Sequence, residues 1–241
     1  MDQQQREALI DEIHARLRAV ADPERAKKAG AFFPSNPPIL GVPSGFANEL
    51  GKEMARRLRA EGDLADVIAV ADALYRDGVM EEAACANELA GRFWRRFGPG
   101  DWPTFDRWVG WFNCWGTTDS FCLKLLGHLV LRDGPPMPLL REWARSEHVW
   151  RRRASLASTI RGARKGQYVD ELSELADLLL DDPRDTVQKA IGWTLKETCK
   201  GDVEAVIAYL RCRRERMTRL AFRYACERMS AEQKARARSD A

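Results

Sequence analysis

The sequence predicts an all-α protein, an α-solenoid in which stacked pairs of helices form a single domain over residues 1–241. Nearly every segment spaces its apolar residues three or four positions apart and ends at Gly, Pro or an Asp cluster. No stretch alternates apolar and polar residues between turn signals, so strands are not expected. Two segments also match at an offset of 36 residues, a period typical of helix-pair repeats.

The individual helices follow one scheme. In "DLADVIAVADALYRDG" (63–78), Asp63 is the expected N-cap and Gly78 the stop signal. The same scheme recurs at 169–183, 185–201 and 202–215. The clear exception is "FFPSNPPILGVPSG" (32–45), which holds four prolines and is expected to be an irregular loop.

The repeat aligns cations. "HVWRRRASLA" (148–157) lies over "RDTVQKAIGW" (184–193), which pairs Arg153 with Lys189, and the later segment "MTRLAFRYA" carries Arg219 before a similar apolar run. Each cation falls early in the second helix of its pair, the series that lines the concave face of an α-solenoid. The repeat therefore predicts a concave basic surface suited to a polyanion.

The charge of the whole chain is unevenly distributed. Residues 141–241 contain 22 Lys/Arg and 16 Asp/Glu, whereas residues 1–140 contain 17 and 20. Basic blocks are most often solvated helix faces, but a basic half is also typical of proteins that bind nucleic acid.

Composition excludes several classes. Apolar residues make up 45% and charged residues 31%, as in soluble globular proteins. The sequence shows neither a signal-peptide pattern nor a long apolar run, so we expect a cytoplasmic, nucleoid-associated protein without a membrane partner. Six scattered cysteines and three histidines offer no zinc spacing, and no Gly-rich phosphate loop occurs. We therefore expect neither a metal nor a cofactor.

Two short motifs could carry chemistry. In "CWGTTDSF" (114–121), Trp115 precedes Asp119 by four residues. An ordinary interpretation is that Trp115 closes the preceding aromatic helix and Asp119 caps the next one. Further on, Lys189, Trp193 and Lys196 share one helix face. Here the ordinary interpretation is a half-buried indole flanked by lysine stems.

Three segments, "CWGTTDSF", "HVWRRRASL" and "VQKAIGWTLKE", resemble in order and spacing the AlkD-like DNA alkylation repair family, which comprises HEAT-like-repeat alkylpurine DNA glycosylases. The resemblance extends from about residue 30 onward, and it implies stacked HEAT-like helical pairs around a concave basic cleft. It further implies that the cleft is lined by Trp115, Asp119, Arg153 and Trp193.

The resemblance implies roles for these residues. Asp119, Trp115 and Trp193 would be catalytic, and Arg153 would hold DNA phosphates. Lys196 matches a further family cation, although it is a lysine where arginine is expected. With Lys189 and Arg219 from the repeat, these cations complete the expected DNA-binding set: Arg153, Lys196, Lys189 and Arg219. Gly116 also departs from the family, whose members often carry an acidic residue there.

The implied activity is that of a monofunctional DNA glycosylase acting as a monomer on duplex DNA. It would hydrolyse the N-glycosidic bond of cationic purines alkylated at N3 or N7, such as 7-alkylguanine and 3-alkyladenine, and leave an abasic site for base excision repair. The family is thought to act without flipping the base out. A shallow cleft could also accept bulky adducts, which some relatives remove for self-resistance.

Two other functions remain open on the sequence. One is a non-catalytic HEAT-repeat module that binds branched or distorted DNA, although such relatives lack parts of the cleft. The other is a protein–protein scaffold, a common use of helical solenoids, which predicts no strong salt dependence of DNA affinity. An iron-binding solenoid built on His-Glu pairs is excluded, because no histidine is followed by glutamate.

Overall fold

Every regular element between residues 1 and 239, the range described by the computed structural model, is a helix. The prediction of an all-α protein is therefore confirmed. The chain divides into two compact units, Met1–Leu129 and Val130–Ala241. The single domain over residues 1–241 stays a prediction.

The first unit begins with seven α-helices and reaches into an eighth, which contains the boundary between the units. Their bounds are α1 (Gln3–Ala19), α2 (Pro23–Gly30), α3 (Phe46–Glu61), α4 (Leu64–Arg76), α5 (Met80–Gly91), α6 (Trp102–Trp111), α7 (Trp115–Phe121) and α8 (Gly127–Asp133). A 3-10 turn (Pro99–Asp101) precedes α6, and a π-helical turn (Cys122–Leu126) joins α7 to α8.

The second unit contains the remaining helices. Their bounds are α9 (Met137–Ala144), α10 (Val149–Ala157), α11 (Ile160–Ala163), α12 (Val169–Leu179), α13 (Asp185–Thr198), α14 (Val203–Arg213), α15 (Arg219–Ala225) and α16 (Ala231–Arg238). A 3-10 turn (Cys226–Arg228) follows α15.

Stacked helix pairs build the first unit. One row contains α1, α4 and α6, and the other contains α3, α5 and α7. Polar contacts between successive helices of a row join residues about one repeat apart. Arg107 of α6 pairs with Asp72 of α4, 35 positions earlier, and Asn87 of α5 donates a hydrogen bond to the Thr117 carbonyl of α7, 30 positions later.

The second unit repeats this construction. One row contains α10, α13 and α15, and the other contains α9, α12, α14 and α16. Arg141 of α9 pairs with Glu174 of α12 across 33 positions, and Asp177 of α12 pairs with Arg213 of α14 across 36. Because α10 begins at residue 149 and α13 at residue 185, the helix-pair offset of 36 is confirmed.

A buried carboxylate fixes the irregular loop between α2 and α3. Glu81 of α5 accepts hydrogen bonds from the backbone N–H groups of Leu40 (3.0 Å), Gly41 (2.8 Å) and Val42 (3.2 Å). Gly41 has φ +75°, and a Cβ there would stand 2.1 Å from the Asp22 carbonyl oxygen. The Glu81 carboxylate and the close backbone packing at Gly41 thus hold the loop in one position.

A second buried carboxylate braces the C-terminal half of α13. The Glu197 side chain is 4% exposed and forms ion pairs with Arg164 and Lys200 at 2.6 Å and with Arg228 at 3.8 Å. Burial alone would raise the pKa of Glu197. The hydrogen bonds and charges of Lys200 and Arg164 outweigh it, so the pKa lies below its ordinary value.

Replacing Glu81 with Ala should free the loop, because three backbone N–H groups lose their acceptor. We expect the free energy of unfolding to fall by about 2–4 kcal/mol and hydrogen exchange at the amides of residues 40–42 to accelerate. Glu61→Ala, at the exposed end of α3, is the matched control. Unchanged protection of these amides in Glu81→Ala would contradict the anchoring role.

Glu197→Gln should lower the free energy of unfolding by about 2 kcal/mol at pH 7, because it removes one partner of a buried ion-pair cluster. The folded-state pKa lies below the unfolded one, so this stabilisation is complete above the unfolded pKa of about 4.3 and is lost as the pH falls. Denaturant titrations of wild type and variant at pH 7 and at lower pH should therefore converge in acid. Parallel curves would rule this out, and the exposed Glu215→Gln serves as control.

Candidate functional site

Trp115 and Asp119 lie one above the other on the first turns of α7. The helix begins at Trp115 with Cys114 as its N-cap, and Asp119 is its fifth residue. The interpretation in which Asp119 caps this helix is therefore wrong. The preceding helix α6 ends at Trp111, four residues before Trp115. Residues four apart share a helix face, so the indole and the carboxylate project from the same side of α7.

Buried hydrogen bonds make the start of α7 rigid. The Thr118 hydroxyl donates to the Cys114 carbonyl (2.9 Å), and the Asn87 amide donates to the Thr117 carbonyl (3.1 Å). The Tyr75 hydroxyl in turn donates to the Asn87 side-chain oxygen (2.8 Å), and Tyr75 is completely buried. Because these polar groups are satisfied only in this arrangement, the turn that carries Trp115 and Asp119 has one well-defined conformation.

The loop between α2 and α3 covers part of Trp115. The Phe33 ring stacks on the indole with centroids 5.0 Å apart and planes 23° apart, and the indole Nε1 donates to the Phe32 carbonyl (3.4 Å). Trp115 still remains 40% exposed. A Cβ at Gly116 would stand 3.2 Å from the Phe33 ring, so the glycine that departs from the family pattern leaves room for this stack.

A π-helical turn follows Asp119 by three residues. It spans Cys122–Leu126 within the continuous run of helix from α7 to α8, and such turns occur frequently at functional sites. Lys124 of this turn is tied down by the carboxylate of Glu88 (2.7 Å) and the amide oxygen of Asn48 (3.0 Å). The sequence pattern contains no signal for this turn.

In the second unit, Arg153 lies beside Trp193. The guanidinium carbon is 5.8 Å from the centroid of the indole ring, and Arg153 donates hydrogen bonds to the carbonyl and the hydroxyl of Thr186. Arg153 is 6% exposed, and Trp193 is half-buried. The partner of the indole is thus the arginine of the preceding repeat, in a cation–π geometry.

The other predicted cations of this unit, Lys196, Lys189 and Arg219, differ from one another in exposure and in their partners. Lys196 forms an ion pair with Glu227 (2.8 Å) and lies 5.8 Å from the Tyr224 ring centroid. Lys189 is half-buried, and Arg219 is exposed as the first residue of α15. A DNA phosphate that reaches Lys196 must therefore compete with a carboxylate.

The structure also gives the register of the repeated cation. Arg153 and Lys189 are each the fifth residue of their helices, and the fifth residue of α15 is Arg223. Contacts between successive helices of this row support the register, since Arg153 bonds to a residue 33 positions later and Lys196 to one 31 positions later. Arg223, which the sequence alignment did not single out, is therefore the structural counterpart of Arg153 and Lys189.

Comparison with known proteins assigns the family. The family model described as DNA alkylation repair enzyme matches residues 13–229. The chain belongs to this family. A search of curated proteins gives no significant match. Among solved structures, that of a predicted DNA alkylation repair enzyme from Enterococcus faecalis is similar in fold, with a TM-score of 0.76 and 20% identity over 88% of this chain and 97% of the other.

Family membership makes the chain a DNA-binding enzyme of alkylation repair. The prediction of a solenoid of helical pairs agrees with this neighbour and with the two rows of helices in each unit. Within residues 1–239, no group of three His, Cys, Asp or Glu residues could hold a metal ion. No helix in that range is long and apolar enough to span a membrane. The individual roles of the site residues stay predictions.

Phe33→Ala should release the indole of Trp115, because the stacked ring that covers one of its faces is removed. In protein labelled with 5-fluorotryptophan, we expect the ¹⁹F resonance of Trp115, assigned with Trp115→Phe, to move toward the solvent-exposed position. Stability should fall by about 1–3 kcal/mol. The adjacent Phe32→Ala is the control, because the Phe32 side chain is 74% exposed. Equal shifts in both variants would contradict the role of the stack.

Proposed function

We propose that the chain is a monofunctional DNA glycosylase that hydrolyses the N-glycosidic bond of cationic N3- or N7-alkylated purines in duplex DNA and leaves an abasic site for base excision repair. One observation carries the proposal. In a member of the DNA alkylation repair family, an exposed indole and a carboxylate lie one turn apart on the rigid start of α7.

The substrate itself supplies the leaving group. Alkylation at N3 or N7 places a positive charge on the purine, so the base departs as a neutral molecule without protonation. The enzyme therefore needs no general acid. It must stabilise the sugar while C1′ becomes cationic, and it must position a water molecule to attack that carbon.

Asp119 suits both tasks. A carboxylate about 4 Å from the developing cation, at an effective dielectric constant of 20, attracts it by about 4 kcal/mol. This corresponds to roughly a thousandfold in rate. The same oxygens can accept a hydrogen bond from the attacking water. The hydrogen-bonded start of α7 supports this role, because a carboxylate held in place needs no reorganisation as the charge develops.

The two tryptophans and the cations complete the proposal. Indole faces stabilise a nearby cation through the ring quadrupole and exclude water, a role we assign to Trp115 and Trp193. Arg153 and Lys196 are assigned to DNA phosphates, which fix the register of the enzyme on the duplex. The ion pair between Lys196 and Glu227 would open as a phosphate replaces the carboxylate.

We further propose that the enzyme acts as a monomer and leaves the target base within the duplex. Because a base that stays within the duplex is not enclosed by a pocket, an adduct larger than a methyl group would not clash with the protein. Methylated and bulky adducts at N3 or N7 are therefore both proposed substrates. The exposed face of Trp115 is the apolar surface available to such adducts.

Asp119→Asn tests the proposal, because the amide keeps the shape of the carboxylate and removes its charge. With excess enzyme over a duplex that contains 7-methylguanine, we expect the rate of base release to fall by roughly a thousandfold. Affinity for the same duplex should hardly change. Released base is measured by chromatography, and affinity by fluorescence anisotropy.

The exposed Asp11→Asn, in α1 of the same unit, is the matched control and should release the base at the wild-type rate. Equal release by Asp119→Asn would remove this carboxylate from the mechanism. If the wild-type protein binds branched DNA tightly and releases no base from methylated or bulky substrates, the glycosylase proposal fails and a non-catalytic DNA-binding module takes its place.

A further inference from the structure

A basic groove opens in the second unit, around α15 and α16. It has a volume of about 670 Å³ and is lined by Arg214, Met217, Arg219, Phe222, Arg223, Cys226, Glu227, Lys234 and Arg238. Five of these residues are cations and one is an acid. Apart from Arg219, none of the cations is among the residues to which the preceding sections assign a role.

In the part of the chain that the structure describes, the cations of the groove lack acidic partners. Within residues 1–239, Arg214, Arg219, Arg223, Lys234 and Arg238 form no ion pair with a carboxylate. This distinguishes them from neighbouring arginines, because Arg213, Arg216 and Arg236 each pair with an Asp or Glu. Clustered cations repel one another, and a bound anion would relieve that repulsion.

The one acid of the groove is already neutralised. Glu227 pairs with Lys196 of α13, so its charge does not offset the five cations. The groove therefore has a net positive charge of several units in a concave setting, where the field is concentrated. Its ligand should carry more than one negative charge.

Arg223 connects the groove to the repeat. It occupies the fifth position of α15, the position that Arg153 and Lys189 occupy in α10 and α13. Arg223 is exposed, and its guanidinium lies 5.7 Å from the ring centroid of Tyr224. A planar guanidinium suits bidentate contact with phosphate oxygens.

The Cys226 thiol is not suited to act as a nucleophile in the groove. The thiol is buried, and burial raises its pKa despite the opposing charges of Arg238 and Lys234. A thiol with a raised pKa stays protonated at neutral pH and is a poor nucleophile. Together with Met217 and Phe222, Cys226 forms part of the apolar lining of the groove.

We propose that this groove binds the phosphodiester backbone of duplex DNA, with Arg223 and Lys234 as ligands of the phosphate oxygens. The proposal rests on the proposed function, because it adds a site that would hold the duplex to the enzyme during base release. In this proposal α15 and α16 contribute to DNA affinity and take no part in breaking the glycosidic bond.

The double variant Arg223→Gln/Lys234→Gln tests this assignment. Affinity for an undamaged, fluorescein-labelled duplex is measured by anisotropy from 50 to 300 mM KCl. Each lost phosphate contact should reduce the slope of log K against log salt by about 0.9, so we expect a reduction of about 1–2 and a roughly tenfold loss of affinity at low salt. Circular dichroism confirms that the variant is folded.

Arg216→Gln/Arg236→Gln is the matched control. It removes the same net charge from the same unit at two exposed arginines outside the groove, and it should leave the slope nearly unchanged. Equal losses in both double variants would overturn the proposal, because the effect would then depend on net charge alone. An unchanged slope in Arg223→Gln/Lys234→Gln would overturn it as well.

Two further measurements complete the test. The first distinguishes a free phosphate compound from the phosphates of DNA as the ligand of the groove. The second distinguishes a failure of this proposal from a failure of the proposed function. Calorimetry measures the binding of inorganic phosphate to the wild-type protein and to both double variants. Our assignment is wrong if phosphate binds with millimolar or tighter affinity, if only Arg223→Gln/Lys234→Gln abolishes this binding, and if DNA affinity is unchanged. The groove would then bind a free phosphate compound.

Base release from 7-methylguanine DNA at saturating enzyme should be the same in wild type and in Arg223→Gln/Lys234→Gln. Loss of the DNA contact with normal base release supports this site, whereas absence of base release from both proteins refutes only the proposed function.

Discussion

The four-residue spacing of Trp115 and Asp119 is useful only because α7 begins where it does. With Cys114 as N-cap, both side chains fall on one face of the helix. Had the helix begun near Asp119, the carboxylate would lie at the helix start, where side chains bond to backbone N–H groups. The buried bonds of Thr118, Asn87 and Tyr75 fix this starting point. The geometry of the proposed site follows from them.

Several charged side chains of the protein hold helices together. Arg153 is bound to Thr186, Lys196 to Glu227, and Glu197 to three cations. A cation that already has an acidic partner gains less from a phosphate, because one favourable contact is exchanged for another. The basic groove around α15 and α16 differs, because its cations lack such partners within residues 1–239. Of the cations predicted from sequence, Arg219 lies in this groove, whereas Arg153 and Lys196 have partners elsewhere.

Sequence reasoning succeeds where local patterns decide the structure. The start and stop of α4 follow from the side chain of Asp63 and the positive φ of Gly78, and both were predicted. The offset of α10 and α13 also follows from local periodicity. The prolines of the loop after α2 similarly indicate an irregular segment.

Sequence reasoning fails where tertiary contacts decide the structure. The N-cap of α7 is a cysteine without a capping side-chain bond, so Asp119 looked like the better start. The stack of Phe33 on Trp115 joins residues 82 positions apart in sequence, and no local pattern reports it. The sequence alignment places Arg219 beside Arg153 and Lys189, whereas the bounds of α15 put Arg223 at the fifth position that those two residues occupy in their helices.

The attraction between a carboxylate and a sugar cation can be measured without any reaction. A duplex with a cationic pyrrolidine abasic-site analogue imitates the charged sugar, and a duplex with tetrahydrofuran at the same position is its neutral counterpart. The wild-type protein should bind the cationic duplex at least a hundredfold more tightly, and Asp119→Asn should bind both alike. Equal affinity of the wild-type protein for the two duplexes would contradict the account.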